Sequence, residues 1–255
     1  MKREFTKRLT RVHVAAALRP GSVVELPAAT AAHLAKVLRA RSGDALVLFA
    51  GDGLEFAGIV ADVRGSRVTA AVGEGREVDR ESPLAVTLVQ CIPRGDRMDF
   101  IVQKATELGV ARIIPVLSQR SVVRLDEPQA ASKAAHWRSV AVNACEQCGR
   151  NRLPTIDSPR QLIRYLGSSP AAGPRLLFEL EFEARGAAHD VGAKVEIAIG
   201  PEGGFASEEL EAFRISGFGA IRLGPRILRT ETAAIAALAW LQSSFGDLKT
   251  VPIKA

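Results

Sequence analysis

From residue 84 to residue 245 the chain alternates short apolar runs with stretches of helical spacing, and no other feature restricts its fold so tightly. Residues 85–91, 111–117, 175–178, 195–199 and 220–223 are mostly apolar without strict alternation, so strands formed there need cover on both faces. Between and after them, residues 96–108, 129–148, 207–216 and 230–245 carry helical patterns. Strand, helix and strand in this order predict an α/β unit built on a parallel sheet.

A different texture comes first. Residues 21–26, 45–49, 54–63 and 67–72 read as strands and 28–38 as one helix, with tight turns at Gly51-Asp52-Gly53 and Arg64-Gly65-Ser66. Strands parted by such turns predict a small β-barrel. Residues 73–83, poor in apolar side chains, read as a linker. A chain of 255 residues accommodates two such domains, expected at 1–75 and 76–255.

Charge is placed unevenly. Residues 1–41 hold nine Lys or Arg against two Glu, a net +7, while the whole chain carries +6. A localised positive field suits a polyanion, nucleic acid above all; a solvated basic arm is the plainer alternative. One Tyr and two Trp are too few for a broad base-stacking platform, which favours recognition by shape and phosphate contacts. Three cysteines fit a reducing compartment, and neither a leader-like segment nor an uncharged apolar run of about 18 residues is present. A cytoplasmic protein without membrane contact is expected.

The chemistry of several motifs can be set aside. There is no phosphate-binding GxxxxGK[ST] loop, and Gly51-Asp52-Gly53 lacks the remainder of a dinucleotide fingerprint. His13, His33, His136 and His189 are scattered without metal spacing, so no metal is expected. Cys145 and Cys148 have CxxC spacing, but no second pair stands near, and buried thiols are the plainer reading. Their neighbours Glu146, Gln147 and Arg150 attract more interest.

Two glycine-rich turns mark a ligand site. Gly200-Pro201-Glu202-Gly203-Gly204 and Gly224-Pro225-Arg226 each follow an apolar run and precede a helical pattern. Glycine lets the backbone approach a ligand, and proline stiffens the turn before the ligand arrives. In open α/β sheets such loops meet beyond the carboxyl ends of the strands. Ordinary turns are the alternative for each alone. The dense Arg226, Arg229, Thr230, Glu231, Thr232 cluster opening the last helix is more than a turn requires.

Together the motifs resemble the bacterial small-subunit ribosomal RNA uridine N3-methyltransferases of the SPOUT (α/β-knot) superfamily. The resemblance rests on Glu81-Ser82-Pro83, Arg94 to Asp99, Gln103 to Gly109, Ile114-Pro115, Ser118 to Arg120, Ala144 to Pro154 and the two glycine-rich segments. His33, Val37-Leu38-Arg39 and Gly43-Asp44 also match. It implies an N-terminal PUA-like β-barrel domain for RNA and a C-terminal α/β trefoil-knot methyltransferase domain. It further implies a homodimer with the active site near the subunit interface, S-adenosyl-L-methionine as cofactor, and 16S ribosomal RNA or the small ribosomal subunit as partner.

The same resemblance assigns residues. Arg229 or Arg226 would stabilise charge developing on the uracil ring as N3 loses its proton, and Glu231 would orient the guanidinium or accept that proton. Three loops would hold the cofactor: Leu177, Phe178 and Glu179, in a loop continuing to Leu180; Ile199, Gly200, Pro201, Glu202, Gly203 and Gly204; and Leu223, Gly224, Ile227, Leu228 and Thr232. Arg8, Arg11, His33, Lys36, Arg39, Arg94 and Arg150 would contact RNA. Ribose 2′-O-methylation by a related SPOUT enzyme, a non-catalytic ribosome-assembly factor and a binder of some small anionic metabolite stay open as alternatives.

Overall fold

The computed structural model describes residues 9–168, 173–179 and 191–250. Residues 1–8, Arg8 among them, and Leu180 and His189 lie outside the described residues. The chain divides into two compact units. The first runs to Glu81 and takes in Cys145–Leu153; the second comprises Ser82–Ala144 and the chain from Pro154. The sequence places the boundary near residue 75 and leaves residues 145–153 with the second part, so the observed division differs at both points.

The first unit contains β1 (Thr10–His13), β2 (Val23–Glu25), α1 (Ala28–Lys36), β3 (Ala45–Phe49), β4 (Leu54–Arg64) and β5 (Arg67–Glu77). Its sheet has the order β1-β3-β4-β5-β2, with β1 parallel to β3 and the other pairs antiparallel. Alternate residues of β3, β4 and β5, among them Leu46, Leu48, Val60, Val68 and Ala70, close on Leu34 of α1 in one apolar core.

Two features differ from expectation. β1 falls inside the basic stretch 1–41, where Arg11 is buried and neutralised inside the unit. Its Nη1 donates to Glu55 Oε2 at 2.7 Å. β5 continues to Glu77 through residues that read as linker. Gly75 is required there, since a Cβ would stand 2.5 Å from the Phe56 ring.

The second unit contains β6 (Ala85–Cys91), α2 (Arg97–Glu107), β7 (Val110–Leu117), α3 (Glu127–Cys148), β8 (Thr155–Ile156), β9 (Arg160–Gln161) and α4 (Leu162–Ser168). Then follow β10 (Arg175–Phe178), β11 (Lys194–Ile199), α5 (Ser207–Ile215), β12 (Phe218–Ile221) and α6 (Thr230–Ser244). The last residues of α3, 145–148, belong to the first unit. The sheet has the order β12-β10-β11-β6-β7-β8, all parallel, with β9 also beside β7.

Period-two geometry splits β6 between two cores. Val86 and Leu88 pack with Ile101 and Val102 of α2 and Leu238 and Leu241 of α6. Val89 and Cys91 pack on the other face with Leu162 and Tyr165 of α4 and Phe213 of α5. Helices on both faces explain why the strands read as continuous apolar runs. The expected strand at 220–223 lies two residues earlier, which frees Arg222 and Leu223 for the loop. β8, β9 and α4 have no counterpart in the sequence pattern. Among the described residues no helix is long and apolar enough to cross a membrane.

Candidate active site

The carboxyl ends of β10, β11 and β12 and the start of α6 enclose a cleft of about 310 Å³. Apolar walls come from Phe178, Ile199, Ile221, Leu223, Leu228 and Ala233. Glu179 and Glu202 bring negative charge, while Arg222, Arg226 and Arg229 bring positive charge from the β12–α6 loop. Apolar walls with a few convergent polar groups are the usual makeup of a small-molecule site.

The loop after β11 is tied down on several sides. Thr230 Oγ1 donates to the Gly200 carbonyl at 2.7 Å. Arg97, at the start of α2, forms an ion pair with Glu202, whose Oε1 also accepts from the Arg94 backbone N–H at 3.3 Å. Arg120 Nη1 donates to the Gly203 carbonyl at 3.1 Å. Glu209, 1% exposed, accepts from the backbone N–H groups of Gln119 at 2.8 Å and Ala206 at 3.0 Å. Gly204 turns the loop at φ +66°, a conformation that side chains other than glycine rarely adopt. These contacts hold the cleft wall in one shape, lowering the ordering cost of binding.

Most residues expected at a cofactor site are brought together here. Phe178, Glu179, Ile199, Gly200, Pro201, Glu202, Gly204, Leu223, Ile227 and Leu228 line the cleft, as do Arg226 and Arg229. Four are not part of its lining. Leu177 is fully buried in the core beneath the sheet. Gly203 and Gly224 present their carbonyls to Arg120 and Arg222. Thr232 is exposed on the outer side of α6, and Thr230, two residues earlier and 4% exposed, lines the cleft instead.

Glu231 also lies off the cleft. Its Oε1 stands 3.9 Å from Arg97 Nε, and its side chain is 16% exposed. The carboxylate therefore faces a guanidinium other than Arg226 or Arg229. Its place in the first turn of α6 suits a negative charge.

The expected RNA contacts separate into two groups. His33, Lys36 and Arg39 are exposed at the end of α1, with Arg39 at φ +52°, and Arg94 is exposed on the loop after β6. Arg11 and Arg150 are corrected to framework residues. Arg11 is 9% exposed and held by Glu55, Asn151 and the Arg150 carbonyl. Arg150 is 5% exposed and pairs with Glu81. Neither guanidinium faces solvent, where phosphate would be.

Glu55 is the hub of that framework. Burial alone would push its carboxyl up, but hydrogen bonds from Arg11, Arg76, Arg80 and Asn151 outweigh it and bring the pKa down to about 2. The CxxC cysteines carry no disulfide, and Cys145 is buried. Among the described residues no cluster of three or more His, Cys, Asp or Glu is gathered for a metal.

Sequence reasoning passes over Arg222, Gln90 and the cleft role of Thr230. Gln90 carries a readable signal, a buried-type position in an apolar strand occupied by an amide. Arg222 carries none, since the expected strand covers it.

Comparison with known proteins joins these observations. A family model described as an RNA methyltransferase domain matches residues 80–242, and one described as an RNA methyltransferase PUA domain matches residues 26–72. The chain is 32% identical over 244 residues to the ribosomal RNA small subunit methyltransferase E of Buchnera aphidicola, covering 95% of this chain and 99% of that protein. It is 33% identical over 221 residues to the Bacillus subtilis protein of that name, covering 81% and 84%.

A solved ribosomal RNA small subunit methyltransferase E from Neisseria gonorrhoeae, bound to S-adenosyl methionine, matches at 38% identity and a TM-score of 0.87, covering 94% of this chain and 100% of that one. A Legionella pneumophila protein solved in complex with the bound cofactor SAM matches at 38% identity and a TM-score of 0.88 with the same coverage. The α/β SPOUT architecture preceded by a PUA-like domain is thus the fold observed. The chain belongs to the RNA methyltransferase family that includes the ribosomal RNA small subunit methyltransferase E proteins.

Proposed function

We propose that this protein transfers the methyl group of S-adenosylmethionine to N3 of a uridine in the 16S RNA of the small ribosomal subunit. One observation carries the reading: a preorganised cleft flanked by Arg226 and Arg229, in a chain that matches cofactor-bound relatives over 94% of its length. The residues fit that cofactor. Phe178, Ile199, Ile221 and Leu228 offer an apolar wall to a flat ring, the loop after β11 offers backbone polar groups, and Glu179 and Glu202 suit a cationic ligand. When bound, the cofactor supplies an electrophilic methyl on a sulfonium.

The chain's own residues supply placement and charge. Uridine N3 is protonated at neutral pH and must lose its proton to attack. A guanidinium from Arg226 or Arg229 beside the uracil carbonyls favours the anionic ring and lowers that pKa. Glu231 faces Arg97 and not the two cleft arginines, so water at the open rim takes the proton. Fixed loops align acceptor and methyl, which is the main requirement of an in-line transfer. His33, Lys36 and Arg39 of the first unit and Arg94 of the second contact RNA phosphates. A cytoplasmic homodimer belongs to the same reading.

The test is transfer of labelled methyl from S-adenosylmethionine to small ribosomal subunits from a strain lacking this protein, followed by nucleoside chromatography. Label in 3-methyluridine is the expected result. Label in a ribose-methylated nucleoside would overturn the N3 assignment, and absence of both label and cofactor binding would overturn the enzyme.

A further inference from the structure

We infer that Gln90 and Thr230 form a buried hydrogen-bonded strap that fixes the Gly200 carbonyl and thereby sets the shape of the cleft. Both are positioning residues, and the inference rests on the proposed S-adenosylmethionine site.

Gln90 lies in β6, the strand between β11 and β7, and is 0% exposed. An amide in such a place forfeits hydration that a Val or Leu would not need, so its contacts carry the explanation. Its Nε2 donates to the Cys91 carbonyl at 2.9 Å and to Thr230 Oγ1 at 2.9 Å. Turning the amide over would set Oε1 against the Cys91 carbonyl, oxygen facing oxygen, so the orientation is determined by its partners. Thr230 has one hydroxyl proton. With Gln90 donating to that oxygen, the proton goes to Gly200 O at 2.7 Å. The run of donors is therefore one-way, from β6 through the first residue of α6 to the loop after β11.

Thr230 directly follows the β12–α6 loop, and Gly200 opens the other loop of the cleft, so one hydroxyl locks the two walls together. On its other side Gly200 has no spare room, because a Cβ would stand 2.9 Å from the Phe205 ring. Gly200 is thus seated between Phe205 and the strap, with its carbonyl drawn to Thr230. Gln90 Oε1 is buried with no partner among the described residues, which leaves the two Nε2 bonds as the reason for an amide here.

The experiment uses the full chain. Thr230→Val keeps the β-branched shape and deletes the hydroxyl, Thr230→Ser keeps the hydroxyl and deletes the methyl, and Gln90→Leu removes the middle of the strap. Binding of S-adenosylmethionine by calorimetry, Tm, and kcat and KM for methyl transfer are measured for each. Thr230→Val and Gln90→Leu are expected to raise Kd and KM for S-adenosylmethionine about tenfold, the effect of one well-formed hydrogen bond, with kcat changed less. Thr230→Ser is expected to bind within about twofold of wild type on the same reasoning. Combining Thr230→Val with Gln90→Leu should cost little beyond either alone, because each breaks the same strap.

A Thr230→Val protein that folds and binds with wild-type Kd overturns the strap. So does equal loss in the Val and Ser variants, which would make packing the cause. Should Thr230→Val fail to fold, an unchanged Kd in Gln90→Leu overturns the strap equally. Wild-type protein that binds no S-adenosylmethionine would instead overturn the proposed function, and the inference with it.

Discussion

Arg11 Nη1 and Glu55 Oε2 meet at 2.7 Å inside the first unit, with side chains 7% and 3% exposed. Arg11 Nη2 donates to Asn151 and to the Arg150 carbonyl, so the arginine also ties residues 150 and 151 to the β-sheet of this unit. Removing the carboxylate leaves a guanidinium buried without its counter-charge. Such a loss costs about 3–5 kcal/mol. Glu55→Ala is therefore expected to lower the urea midpoint of the first unit strongly, while Glu25→Ala, which breaks an exposed pair with Arg67, should shift it little. Equal small effects would mean that the interior pair contributes no more than a surface one.

The same carboxylate sets a pH dependence. Burial works to raise its pKa, yet the donors around it bring it from 4.5 to about 2 in the folded protein. A depressed folded value means that folding favours the charged form. Its contribution is complete above about pH 4.5 and fades as the pH falls toward 2. Stability measured from pH 6 to pH 2 should accordingly fall more steeply in wild type than in Glu55→Gln. Parallel curves would show that another carboxylate governs the acid limb.

Arg226 and Arg229 line the cleft, whereas Glu231 faces Arg97. If one guanidinium stabilises the ring anion, its loss should fall on the chemical step. Arg229→Ala or Arg226→Ala is expected to lower single-turnover methyl transfer about 10²-fold, as loss of one oxyanion-stabilising donor does, with Kd for S-adenosylmethionine nearly unchanged. Near-normal turnover in both variants would remove the arginines from the mechanism.

The second unit is legible in the sequence because both faces of its strands are covered, which writes a continuous apolar run such as residues 85–91. β8 and β9, two residues each, are too short to carry any period, and α4 spans only seven residues. Arg11 misleads for a different reason. A charge count places arginine at the surface, and only the tertiary pairing with Glu55 brings it inside. At the site, the Gly-Pro loops announce themselves, but the choice between Thr230 and Thr232 depends on where α6 begins. A shift of two residues turns a side chain by roughly 200° about the helix, from cleft to solvent.

Surface cations of the first unit offer a separable prediction. Lys36 and Arg39 are exposed, and the α1 turn beside them is held by the His33 carbonyl, which accepts from Val37 at 2.9 Å and Leu38 at 3.1 Å. Lys36→Ala with Arg39→Ala should weaken binding of ribosomal RNA and reduce the slope of log K against log salt by about 2. Tm should stay within the scatter expected of surface substitutions. Lost RNA affinity with an unchanged salt slope would mean that these side chains do not reach phosphates.

Cysteine reactivity tests the CxxC segment directly. Burial pushes the Cys145 thiol up to about 12, and burial pushes Cys91 higher still, while Cys148 is half-buried. The thiolate is the reactive form, so at pH 8 Cys145 presents only about 10⁻⁴ of itself to an electrophile. A thiol reagent added to the native protein at pH 8 should therefore modify one cysteine quickly, with peptide mapping placing the label on Cys148. All three should react after denaturation, since none is in a disulfide. Rapid labelling of both Cys145 and Cys148 in the native protein would show that the end of α3 opens readily, and would return the pair to consideration as a redox dithiol.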